Sequence, residues 1–149
     1  MGETGRLIGQ VELKFDGNVF YEMFRYRTDD ISDMSPDKMR EIALHDGKWG
    51  TVGSHVVWRF TLDGKEKVSK EVIEAIDEEN KTITYKAVEG DLLELYKIFK
   101  FIIHVDTKGG NNMVRVTLEY EKLSKDIPDP NSLMDFCLNV VKDVEACYV

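Results

Sequence analysis

Three histidines (His45, His55 and His104) and two cysteines (Cys137 and Cys147) are the side chains of this chain best suited to ligate a metal or attack a substrate. Their spacing serves neither purpose. No two of the histidines stand at metal-ligand spacing, and no cysteine accompanies them. No serine or cysteine sits in a recognisable nucleophile motif. Gly47-x-x-Gly50-x-x-Gly53 lacks the Gly-Lys-Ser/Thr ending of a phosphate loop and joins two strands, where a phosphate loop joins a strand to a helix. It reads as a structural loop. Acid–base chemistry would need titratable groups that face inward with shifted pKa values. Lys97, Lys100, His55 and His104 lie on strands where a change of register would turn them inward, but none matches a catalytic motif. No catalytic residue, metal or cofactor is expected.

Charge removes further classes. Twenty basic residues against 28 acidic ones give a net charge of −8 and an isoelectric point near 4.9. A nucleic-acid surface needs clustered Lys and Arg, whereas these are scattered among acids, as in Lys65-Glu66-Lys67. That pattern describes a solvated surface. The opening MGETGRLIGQV has no apolar core of a secretory signal, and Arg6 stands where myristoylation requires Ser or Thr. No apolar run approaches the roughly 18 residues that span a bilayer. Asn80-Lys81-Thr82 matches a glycosylation sequon, which a chain without a signal would not present to the machinery. The cytoplasm is therefore the expected compartment, without nucleic-acid partners or membrane insertion. A monomer, or at most a weak dimer, is the expected state. Residues 1–149 form one expected domain, large enough to bury about two-thirds of its unfolded surface without staples.

The elements that position these side chains can be read from periodicity. Residues 6–14 alternate as a first strand. Asp16 suits the N-cap of a short helix with Val19, Phe20, Met23 and Phe24 on one face, and Ser35-Pro36 suits the opening of a second. Strand patterns follow near 41–45, 54–62, 65–76, 81–88, 92–105 and 112–123. They are joined by turn residues such as Asp63-Gly64 and Glu89-Gly90-Asp91. Seven strands with hairpin links predict an antiparallel sheet. Pro128 and Pro130 stop the last strand, and Ser132 with Asp135 predicts a capped helix of about 17 residues. Leu133, Phe136, Cys137, Val140, Val141, Val144, Cys147 and Tyr148 share one face of it. The two cysteines, ten residues apart on this helix, are separated by about 15 Å. A disulfide spans at most about 7 Å, so two buried, reduced thiols are expected.

HDGKWGTVGSHVVWRFTLDGK (45–65), IEAIDEENKTITYKAVEGDLLELYK (73–97) and LEYEKL (118–123) occur here in an order and spacing that resemble the major latex protein family. That family lies within the plant superfamily of Bet v I and class-ten pathogenesis-related proteins. The resemblance runs from about Gly5 to the last helix. It implies an α+β helix-grip fold, in which a curved seven-stranded antiparallel sheet wraps a long C-terminal helix and two short helices follow the first strand. It also implies a carrier of a hydrophobic or amphipathic small molecule, such as a hormone, steroid-like compound, lipid or phenolic metabolite, with defence and stress roles. Some relatives in alkaloid-making plants instead catalyse cyclisation, elimination or isomerisation in the same cavity.

In such a fold a sheet more than about 30 Å wide cannot be filled by one helix about 10 Å across, so an internal cavity is expected. Its expected lining is Trp58, Phe60, Ile83, Tyr85, Phe99, Phe101, Ile103, Val116, Leu118 and Tyr120 from the sheet. The last helix would add Phe136, Cys137, Val140, Val141 and Val144, with Phe20 and Phe24 at the entrance. Within 95–105 the set Phe99, Phe101, Ile103 and Val105 is the more apolar, although a bulge would exchange it for the other face. Tyr85 and Tyr120 are singled out because a buried phenol needs a hydrogen-bond partner.

Overall fold

A computed structural model describes residues 2–149. Strand β1 (Thr4–Glu12) leads into α1 (Gly17–Tyr26), a single 3-10 turn and the short α2 (Ile31–Met34). Six strands follow: β2 (Met39–Asp46), β3 (His55–Leu62), β4 (Lys65–Asp77), β5 (Thr82–Gly90), β6 (Tyr96–Asp106) and β7 (Met113–Lys122). The long helix α3 (Asn131–Tyr148) closes the chain. All seven strands form one antiparallel sheet in the order β1-β7-β6-β5-β4-β3-β2, so the first strand pairs with the last. Bulges interrupt the β2–β3, β4–β5 and β6–β7 pairings, and each adds local twist to the sheet. This is the helix-grip arrangement that the resemblance implies.

Local chemistry explains most boundaries. Asp16 Oδ1 accepts from the Asn18 backbone N–H at 2.9 Å and caps α1. Asp63 and Gly64 both adopt positive φ, 52° and 77°, which is the turn that matches the twist of two hairpin strands. The Ser35-Pro36 helix is not formed. Ser35 instead ends α2, its N–H bonded to the Ile31 carbonyl at 2.8 Å, and its hydroxyl donates to Asp143 of α3 at 2.6 Å. Lys38 joins the same carboxylate at 2.8 Å. Tertiary pairing with α3 thus outcompetes the local capping preference. Residues 91–94 form a 3-10 turn ahead of β6. The cap expected at Ser132 is also absent: α3 starts at Asn131 behind Pro130, with no side-chain cap. Pro130 fixes its own φ, and its carbonyl accepts from Met134 N–H at 3.1 Å.

Helix α3 buries Leu133, Met134, Phe136, Val140, Val141 and Val144 against the concave sheet face. At about 1.5–3 kcal/mol per buried side chain, this face binds the helix to the sheet. It ends sooner than periodicity suggests. Cys147 and Tyr148 are exposed, and Tyr148 stacks on Phe15 with ring centroids 4.7 Å apart. Of the two expected buried thiols, only that of Cys137 lies inside.

Candidate functional site

A cavity lies between α3 and the sheet. Trp58 and Phe60 of β3, Tyr85 of β5, Phe101 and Ile103 of β6 and Val116 of β7 form its sheet wall. Phe136, Cys137, Val140, Val141 and Val144 of α3 form the opposite wall, and Phe20 and Phe24 of α1 close one side. Four expected positions do not line it. Phe99 and Tyr120 join Tyr96 in an aromatic cluster, with the Phe99 and Tyr120 rings 5.9 Å apart. Leu118 sits between Leu7 and Phe101 in the strand register, and Ile83 between Ile76 and Ile103. All four are buried in packed regions of the sheet. The Tyr120 phenol donates to Asp129 Oδ1 at 2.7 Å and Lys122 reaches the same oxygen at 3.1 Å. These bonds pin the segment ahead of α3 to the sheet. Phe20 and Phe24 are buried side wall, with rings stacked 6.1 Å apart.

The cavity is smaller than the width of the sheet suggests. Its volume, as space open to the centres of water-sized molecules, is about 90 Å³. Aromatic rings occupy the rest: Phe60 meets Phe136 across the gap at 5.4 Å, and the Tyr85 edge meets Trp58 at 5.4 Å and Phe24 at 5.9 Å. At about 24 cal/mol per Å³, a void of this size costs about 2 kcal/mol, which a domain of this length tolerates. A larger surface depression of about 270 Å³ lies beside it, between the β3–β4 hairpin and the N-terminus of α3. Phe60 and Leu133 line both spaces.

Four residues outside the expected lining also line the cavity: Ile31, Met39, Glu71 and Leu133, the last already placed by periodicity on the inner face of α3. Glu71 is the important one. It sits on β4 (Ser69, Glu71 and Ile73 face inward) and is 4% exposed. Burial pushes its carboxyl from 4.5 up to about 8, partly opposed by the Ser69 hydroxyl, which donates to Oε2 at 2.7 Å. At neutral pH it is therefore mostly protonated. Burial, reinforced by Glu71, also pushes the Cys137 thiol up to about 12, which leaves it unreactive. Burial raises the Tyr85 phenol, against a smaller lowering from the Thr28 hydroxyl. One cavity residue also has an unmet bond: Trp58 Nε1 is buried and has no hydrogen-bond partner among the described residues.

The four titratable strand residues considered for catalysis lie elsewhere. Lys100 pairs with Glu74 at 2.7 Å, Lys97 with Glu121 at 3.9 Å and His55 with Asp46 at 3.8 Å. His104 Nδ1 lies 2.9 Å from the Thr82 hydroxyl. None of them lines the cavity. Among the described residues no three His, Cys, Asp or Glu side chains gather as a metal site, and no helix is long and apolar enough to cross a membrane.

Residues 3–149 match the profile of the pathogenesis-related protein Bet v 1 family. MLP-like protein 43 of Arabidopsis thaliana is 40% identical over 151 aligned residues, covering 97% of this chain and 96% of that relative. The crystal structure of major latex-like protein 151 from Panax ginseng superposes with a TM-score of 0.96 at 44% identity, over 99% of both chains. A truncated norcoclaurine synthase from Thalictrum flavum shares the fold with a TM-score of 0.74, at 16% identity over 99% of this chain and 95% of that one. A helix gripped by a seven-stranded sheet, a cavity between them and this similarity along the whole chain agree: the protein belongs to the Bet v 1 family, among its major latex-like members.

Proposed function

We propose that the protein is a carrier or store for a hydrophobic or amphipathic small molecule, held between the sheet and α3 by the whole chain acting as one domain. The observation behind this reading is the cavity itself, whose wall is apolar except for a few polar groups, as small-molecule sites generally are. The present volume is below the roughly 150 Å³ that accommodates a benzene ring in an apolar protein cavity, so binding requires rings to move. Displacing Phe60 and Leu133 joins the cavity to the neighbouring depression, which supplies both room and an entry path. The cytoplasm is the compartment of this reading, and two free cysteines suit its reducing conditions. Defence or stress roles are part of it by family analogy.

The test is native mass spectrometry of protein isolated from its source tissue, followed by denaturing extraction. A stoichiometric lipophilic compound is expected. Protein without a bound compound that also fails to bind a broad panel of lipids, hormones and phenolics would overturn the reading.

A second reading, proton-transfer catalysis in the same cavity, has one observation in its favour: Glu71, a buried carboxyl with a raised pKa in the wall. It requires turnover of the bound compound, whereas a carrier returns it unchanged.

A further inference from the structure

We propose that Glu71 and Trp58 form a paired hydrogen-bond anchor in the cavity wall, selecting an uncharged, mainly apolar ligand that carries one accepting oxygen, as a carbonyl or hydroxyl. This inference rests on the carrier reading of the cavity and names the chemistry it selects. Trp58 of β3 is paired in register with Ser69 of β4, the residue whose hydroxyl holds Glu71 Oε2. Glu71 is paired with Val56 on the same strand as Trp58. Both residues line the cavity, and this register makes them diagonal cross-strand neighbours on the same sheet face, within reach of one another's long side chains. An indole N–H can only donate. Left buried without an acceptor, such a donor costs free energy that a bound acceptor would recover.

Glu71 completes the pair. With Oε2 accepting from Ser69, the proton of the neutral acid resides on Oε1, which makes no hydrogen bond among the described residues. The pair therefore presents two donors and calls for an acceptor. The neighbouring residues supply no charge that would change this. Strand β3 contributes Val56 and Trp58, β5 contributes Ala87 and Tyr85, and α3 contributes Cys137. The two titratable groups among these, Tyr85 and Cys137, are held neutral by burial. A cationic ligand would face the Trp58 donor, and an anionic one would enter an apolar wall without a counter-ion.

The test compares three probes of one shape at pH 6: 1-indanone, with a carbonyl; indane, without one; and 1-aminoindane, a cation. Their binding is followed by NMR of ¹⁵N-labelled protein. The indanone is expected to bind about tenfold tighter than indane and to move the Trp58 indole N–H resonance downfield while leaving that of Trp49 in place. Trp58→Phe and Glu71→Leu should reduce the preference to within about threefold, since each removes a donor. Glu71→Gln should keep it, because its amide donates from the same position. Equal binding of indanone and indane by the wild-type protein would overturn the anchor and leave the carrier reading standing. A Trp58 resonance that does not move would do the same. Tighter binding of 1-aminoindane would overturn it in favour of an ion-pairing carboxylate. If no probe shifts any cavity resonance, the carrier reading falls and the anchor falls with it.

Discussion

Replacing Glu71 by Gln should stabilise the protein at neutral pH and hardly at all in mild acid. The Glu71 carboxyl rises from 4.5 to about 8 on folding because it is buried, against a smaller opposing effect of Ser69. An acid whose pKa is higher in the folded state opposes folding wherever the unfolded chain would ionise. Its cost is absent below pH 4.5, grows by about 1.4 kcal/mol per pH unit as far as pH 8, and then levels off. Between pH 5 and pH 7 the wild type should therefore lose about 2.5 kcal/mol relative to Glu71→Gln. The amide keeps the size of the acid and can still accept from Ser69, so steric differences should be small. Thermal unfolding followed by circular dichroism, run on both proteins from pH 5 to pH 9, reads this as a gap between melting temperatures. For a domain of this length the gap should widen by about 5–10 °C between pH 5 and pH 7. Comparing the two proteins cancels every other titration in the molecule. Melting temperatures that track in parallel across the range would refute the reasoning and show that the Glu71 carboxylate reaches water.

Enlarging a wall residue should separate binding from folding: Val141→Phe, on the α3 side of the cavity, is expected to cost about 1–3 kcal/mol in a urea titration while abolishing saturable binding of lipophilic probes. Tyr120→Phe removes the bond to Asp129 and should lower the melting temperature by about 2–4 °C with probe affinity unchanged, because Tyr120 lies outside the cavity. Ser35→Ala removes a fully buried hydroxyl from Asp143 and should cost about 1 kcal/mol by chemical denaturation. Burial works to raise the Asp143 pKa, but Lys38 and Ser35 hold it below the ordinary value. The stability it contributes is therefore present above its unfolded pKa and lost as pH falls through the folded one. In acid, Asp143→Asn should accordingly converge with the wild type.

Much of the scaffold was legible because its signals are local and repeated. Alternation in β3 and β7, the Asp63-Gly64 turn and the valine stripe of α3 each specify an element without reference to the rest of the chain. The inward set of β6, Phe99, Phe101, Ile103 and Val105, also follows from its hydropathy, since the bulge lies before it, between Tyr96 and Ile98. What escaped depends on tertiary partners that no local periodicity reveals. Ser35 resembles a helix cap until Asp143, 108 residues away, claims its hydroxyl. Tyr120 resembles a ligand contact until Asp129 satisfies its phenol. Glu71 was hidden for a different reason. In Lys65-Glu66-Lys67-Val68-Ser69-Lys70-Glu71 the charges read as a solvated strand, and alternation does not distinguish the face with two apolar residues from the face with a buried acid.

The pairing of β1 with β7 has a consequence during synthesis. Glu121 follows its partner Thr4 by 117 residues (121 − 4) along the chain, so Thr4 leaves the ribosome well before it. At about 5–20 residues per second, the first strand spends on the order of 5–25 s without the neighbour that completes its backbone bonds. Helix α3, made later still, supplies the apolar face on which the concave side of the sheet closes. The nascent chain thus carries an unpaired strand and an uncovered apolar surface until both β7 and α3 have been made. Such long-range closure is intrinsically slow. A product that stops before α3 lacks Leu133, Phe136, Val140, Val141 and Val144, the side chains that cover the concave face.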